Sequence, residues 1–278
     1  MSAVYSIAPD KLARLIGTPV CPILVDVRTD ADIKADPNFV AGATRRSHAD
    51  VAEWAPILSG KIVVAICEQG QKLSEGVAAW LRHAGASANI LDGGTEARAR
   101  EKLPRVSASK LPERDLEGRT VWVTRAWPKI DRIVRPWLIR RFIDPSAVFL
   151  FVTASEVESV AERFGAVPFD IEGAHWSHRG ELCAFDVMIE ESGLGIDALH
   201  HLSTIVRAAD TDRLNLSLEA PGLLAATLGL SRIYSDDHEQ LEAGMLLYDA
   251  FYRWCRDATA ETHNWSSHKA KPKTKTKA

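Results

Sequence analysis

The 278-residue sequence contains no apolar run of the roughly 18 residues that a membrane-spanning helix needs, which excludes a bilayer span. It has no C-x-x-C pair. Cys21, Cys67, Cys183 and Cys255 are scattered singly, which argues against a disulfide framework and fits a reducing cytoplasm. The opening M-S-A-V-Y-S-I-A-P-D has neither a basic segment nor a long apolar core, so no export signal is expected and the expected location is cytoplasmic. A strong charge of one sign is also missing. The net charge is -3 with a pI near 6.3, which argues against a surface devoted to nucleic acid. No internal repeat and no helix-turn-helix pattern is evident, which counts against direct DNA binding. What remains is an ordinary globular composition, 46% hydrophobic and 26% charged. The length predicts about two domains.

In the first hundred residues, short apolar runs alternate with helical patterns. I-L-V-D-V (23–27) and I-V-V-A-I (62–66) read as buried strands, and A-N-I-L-D (88–92) as a weaker third. Helices are predicted over Pro9–Ile16, Asp50–Leu58 and Ser74–Ala84. That rhythm predicts an α/β fold, a parallel sheet flanked by helices with its active site beyond the carboxyl ends of the strands. Cys67 falls there, at the end of the 62–66 run.

Cys67 opens the loop C-E-Q-G-Q-K. The thiolate is the reactive form of cysteine, and a helix N-terminus favours it through free N–H groups and the helix dipole. Gly70 allows a tight turn whose amides can point inward as an anion nest, and Lys72 adds a positive charge. The plainer alternative is a small hydrophobe capping a strand.

The first hundred residues resemble a rhodanese-like sulfurtransferase domain. The matching pieces are L-V-D-V-R (24–28), V-A-G-A (40–43), C-E-Q-G-Q-K (67–72), S-E-G-V-A-A-W-L-R-H-A-G (74–85) and L-D-G-G (91–94). The resemblance implies that Cys67 takes a sulfane sulfur and passes it to a thiol acceptor, with no cofactor required. It implies that Glu68, Gln69, Gly70, Gln71 and Lys72 cradle the persulfide, and that Asp26 and Arg28 form the acidic and basic pair behind the active site. The six-residue loop resembles the sulfur-transferring members rather than their longer-looped phosphatase relatives. The loop closes on Lys72 where arginine is frequent, a point charge without the bidentate fork. Glu68 puts a negative charge beside the thiolate and should weaken anionic donors such as thiosulfate. T-E-A-R-A lacks the aromatic residue often found after L-x-G-G.

Residues 105–119 are polar, lack an apolar period and read as a linker between a domain at 1–104 and a mostly helical α+β domain at 120–266. V-W-V-T and V-F-L-F-V are its predicted strands. Leu199, Leu202, Val206 and Ala209 form one helical stripe, and Leu241, Met245, Tyr248 and Tyr252 another. The basic tail, 267–278, is expected to be disordered. From Lys129 to Asp144 five basic residues face two acidic ones, around a turn expected at Pro136. The plain reading is an amphipathic helix with a solvated basic face. The functional one is an oxyanion site of Arg132, Arg140 and Arg141, since guanidinium groups bind tetrahedral oxyanions bidentately. His175, His178 and Glu181 recur at spacings of three in H-W-S-H-R-G-E. His178, Glu181 and Asp210 are the candidate metal ligands, and a structural ion pair is the alternative for Asp210. Asp249 reads as solvated.

The second region resembles the C-terminal domain of the chromate-resistance family ChrB. The resemblance rests on P-K-I-D-R-I, P-W-L-I-R-R-F-I-D, F-D-I-E-G, S-H-R-G-E, A-A-D-T-D-R-L, L-G-L-S-R and L-Y-D-A-F-Y-R-W-C-R-D-A. Val134-Arg135 stands where that family usually has a small residue and a cysteine. The resemblance implies a role in chromate resistance. Two readings follow: sulfur transfer through a Cys67 persulfide coupled to handling of chromate or a related oxyanion, or a non-enzymatic regulator that senses an oxyanion or metal. The expected partners are a sulfane-sulfur donor, a thiol acceptor and chromate, with no membrane.

Overall fold

The structure, a computed structural model, describes residues 5–100, 104–171, 173–174, 176–177 and 179–261. The first half contains β1 (Ser6–Ile7), α1 (Pro9–Leu15), β2 (Ile23–Asp26), α2 (Asp30–Ala35), β3 (Asn38–Val40), β4 (Ala43–Arg45), α3 (Val51–Trp54), β5 (Ile62–Ile66), α4 (Lys72–His83), β6 (Ser87–Leu91) and α5 (Gly94–Arg100). Five strands make one parallel sheet in the order β1-β6-β5-β2-β4. The β-branched run of β5 sits at its centre. Alternation sends Val63 and Ala65 to one face, under α3 and α4, and Val64 and Ile66 to the other.

The stretch expected to be a bare linker is not one. β7 (Arg105–Ser107) pairs antiparallel with β3, and Val106 is buried. A strand this short carries one inward residue, too few to leave a period in the sequence.

The second half contains β8 (Val121–Arg125), α6 (Ile130–Leu138), β9 (Val148–Val152), α7 (Val157–Phe164), β10 (Val167–Pro168), α8 (Ala184–Ser192), α9 (Asp197–Asp210), α10 (Ala220–Ile233) and α11 (Asp237–Asp257). Its three strands are parallel, in the order β10-β8-β9. α7 covers one face through Val157. On the other, Trp122, Phe149 and Phe169 meet edge to face beneath the helices. The helical stripes on α9 and α11 are buried as their spacing predicts.

The basic segment departs from its expectation. Pro136 lies inside α6, and the chain runs on into a π-helical turn at Ile139–Ile143. Proline removes one hydrogen bond to the carbonyl four residues back, and the wider turn follows directly. Ile130, Asp131, Ile133, Val134, Arg135, Trp137 and Leu138 are all buried, so α6 is a core helix with no solvated basic face.

One apolar cluster joins the halves. It holds Leu12, Ile16, Leu24, Val64 and Ile66 together with Trp137, Phe142, Tyr248 and Tyr252. The Gly42 amide donates to the Phe142 carbonyl at 2.6 Å, and Arg256 reaches the Arg14 carbonyl at 3.1 Å. Among the described residues no helix is long and apolar enough to cross a membrane. Residues 267–278 lie outside the described part.

Candidate functional site: the Cys67 loop

Cys67 ends β5, and its loop closes on the first residue of α4. Its side chain packs in the cluster under α3 and α4 and the residue is 5% exposed. Sγ lies 3.2 Å from Ser74 Oγ and 3.4 Å from the Gln71 carbonyl oxygen, to which the Ser74 hydroxyl donates at 3.0 Å. No backbone amide from Glu68 to Leu73 donates to a backbone carbonyl among the described residues. Amides without a carbonyl partner at the start of a twelve-residue helix are the kind of group that favours negative charge. Lys72 is held at φ +20°, a strained angle for a residue with a Cβ.

The L-D-G-G turn fixes the loop from outside. Thr95 N–H donates to the Cys67 carbonyl and Glu96 N–H to the Glu68 carbonyl, both at 3.0 Å. Gly94 has φ +58°, and a Cβ there would overlap those two carbonyl oxygens. Gly70 has φ +67° and lies equally close to the Leu91 carbonyl. Glycine is required on both sides of this backbone contact.

Asp26 and Arg28 form a buried pair. Arg28 Nε donates to both Asp26 carboxylate oxygens, at 3.1 and 2.9 Å. Its terminal nitrogens donate to the Asp36 and Asn38 carbonyls. These bonds tie the end of β2 to β3 and direct no Arg28 donor at Cys67. The pair thus clamps the end of β2 beside the cysteine loop's sheet.

A cavity of about 230 Å³ opens over Cys67, walled by Asp32, Glu68, Gln69, Gln71, Lys72 and Leu73. The loop residues were legible from the sequence. Ser74 and Asp32 were not. Ser74 sits in the first turn of a helix, where serine is unremarkable, and Asp32 arrives from α2, a separate segment.

The three candidate oxyanion arginines do not converge. Arg132 pairs with Asp170 at 3.2 Å and donates to the Ala126 carbonyl. Arg140 pairs with Glu242. Arg141 is bidentate to Asp249 at 2.8 Å on both bonds, and Asp249 also accepts the Trp137 indole N–H. Asp249 is thus buried rather than solvated. Each guanidinium is already matched to a carboxylate: Asp170, Glu242 and Asp249 in turn.

Behind them lies an unusual buried pair. Arg135 Nη1 is 3.6 Å from Asp131 Oδ2, too long for a hydrogen bond. Arg135 donates to the Trp176 carbonyl and stacks over the Phe169 ring. Burial pushes the Asp131 carboxyl well above its ordinary value; Arg135 pulls it down, while Asp210 and Asp170 push it up. Burial lowers Arg135 correspondingly.

Glu181 is exposed and lies 3.7 Å from Arg213. Asp210 faces the Asp131–Arg135 pair electrostatically. His175 and His178 lie outside the described residues. Among the described residues no group of three or more His, Cys, Asp or Glu side chains is placed to hold a metal ion.

Residues 122–255 match the family model described as ChrB, C-terminal domain. Protein ChrB from Cupriavidus metallidurans is 34% identical over 154 residues, covering 54% of this chain and 45% of that protein. The chain therefore spans under half the length of this relative. Over 37% of its length the chain is similar to a rhodanese-related protein from Thermoplasma volcanium at 22% identity (97% of that chain, TM-score 0.32). It also matches a thiosulfate sulfurtransferase from Pseudomonas aeruginosa at 21% identity (38% of this chain, 20% of that one, TM-score 0.32). The first half thus holds a five-stranded parallel sheet with a cysteine loop at the end of its central strand, and residues 122–255 of the second half resemble the ChrB C-terminal domain.

Proposed function

We propose that this chain, a rhodanese-like domain joined to a ChrB C-terminal domain, is a cytoplasmic sulfurtransferase that works through a persulfide on Cys67 in the handling of chromate or a related oxyanion. The observation that carries the reading is the Cys67 loop: a thiol at a strand end, in a loop whose amides have no carbonyl partner, just before a helix. The Cys67 thiolate attacks the sulfane sulfur of a donor, and the donor's sulfur–sulfur bond breaks. As Sγ loses its proton, the Ser74 hydroxyl turns from the Gln71 carbonyl to donate to sulfur. The loop amides and Lys72 then hold the anionic terminal sulfur until an acceptor thiolate removes it. The Asp26–Arg28 clamp keeps β2 and β3 fixed beside β5 while this happens. Chromate enters through the ChrB likeness, as a process rather than a reaction.

A second reading, a regulator in which the ChrB-type domain responds to the state of Cys67, is favoured by the core that the two halves share.

Intact mass after incubation with a sulfane donor tests the first reading. One extra sulfur, about 32 mass units, is expected on the wild type and none on Cys67→Ser, following covalent catalysis at a single nucleophile. Cys183→Ser and Cys255→Ser should still load. Burial raises the Cys183 thiol far above its ordinary value and pushes Cys255 up to about 12, so both stay protonated and inert. Equal labelling of all the cysteines would sink the nucleophile reading.

A further inference from the structure

The cavity over Cys67 carries two carboxylates and one ammonium in its wall. Asp32 is locked in place at the rim. Its carboxylate accepts the Thr29 amide at 2.9 Å while Thr29 Oγ accepts the Asp32 amide, a capping box that opens α2. Glu68 follows the nucleophile directly, with its carbonyl pinned by Glu96. Asp32 comes from α2 and Glu68 from the loop, and neither has an ion-pair partner among the described residues. Lys72 closes the loop as a single point charge.

A thiosulfate dianion leaving as sulfite meets net negative charge here. A donor with a positive group meets the opposite. Resting on the sulfur-transfer reading above, we propose that Cys67 is loaded by a small persulfide bearing an ammonium group, its cation held by Asp32 and Glu68 and any carboxylate by Lys72. The cavity, about 230 Å³, suits a donor of amino-acid size. The Cys67 thiolate forms a bond to the donor's terminal sulfur. The donor's own sulfur–sulfur bond breaks, and its electron pair leaves on the donor thiolate, which takes a proton from water. The products are Cys67 persulfide and the free aminothiol, with no external oxidant or reductant.

The test follows the rate of Cys67 persulfidation by peptide mass on the full chain with three donors. They are cysteine persulfide, N-acetylcysteine persulfide, which lacks the ammonium, and thiosulfate. Cysteine persulfide should load about tenfold faster than its N-acetyl form, a ratio that one or two close opposite charges in a partly screened cleft can supply. In the Asp32→Asn, Glu68→Gln double variant that ratio should fall to about one and thiosulfate loading should rise, because the charge repelling it is gone. Equal rates for the two persulfides in the wild type, or an unchanged ratio in the double variant, would overturn the donor assignment while leaving sulfur transfer standing. Failure of all three donors to load Cys67 would overturn sulfur transfer itself, and the donor assignment with it.

Discussion

Asp131 and Arg135 lie one turn apart inside α6, and neither Asp131 oxygen nor Arg135 Nε or Nη1 has a hydrogen-bond partner among the described residues. Breaking such a pair from one side leaves an uncompensated buried charge. Arg135→Met should therefore cost about 3–5 kcal/mol at neutral pH, read by urea unfolding. The sign with pH is fixed by Asp131. Its folded-state carboxyl is raised above the unfolded value, so its favourable contribution is complete below that value and is lost as pH rises through the folded one. The Arg135→Met deficit should accordingly shrink as the solution is made acid and Asp131 takes its proton. Replacing both residues, Asp131→Leu with Arg135→Met, should fall within about 1 kcal/mol of wild type, because two well-packed apolar groups need no counter-charge. A double variant as unstable as the single one would show that the pair is held by more than its own charges.

At the scale of elements, the sequence was legible where pattern and burial agree. The β-branched runs of β2 and β5 and the helix after Cys67 fell where their spacing put them, with the Cys67–Lys72 loop between β5 and α4. The failures share one cause. Proline and five basic residues marked the α6 segment as a turn with a wet face, yet Arg132, Arg140 and Arg141 each meet a carboxylate that lies far off in sequence. Arg141 meets Asp249 108 positions away, and Arg140 meets Glu242 102 positions away. Local pattern cannot tell a solvated charge from one whose partner arrives by folding. For the same reason Asp249 read as exposed, since its neighbours Glu242 and Leu246 along the α11 stripe are. Short strands such as β3, β4 and β7 left no signal because a three-residue strand has no period to detect.

For the whole molecule, the governing fact is the core that runs from α1 and the first sheet through α6 to α11. Gly17 sits against the Phe142 ring and the Tyr252 ring, so the halves meet by close packing rather than through a tether. Thermal unfolding should show one transition in which both halves melt together; two transitions separated by several degrees would mean that the shared core contributes little. That union also places the Cys67 loop on the same folding unit as residues 122–255. The central claim is that Cys67 carries sulfur in order to give it away. Protein loaded with sulfane sulfur, freed of donor and mixed with cyanide, tests this in one turnover. The account predicts about one thiocyanate per loaded chain with loss of the added mass from Cys67, as expected for a covalent intermediate. Retention of the added mass with no thiocyanate released would contradict it.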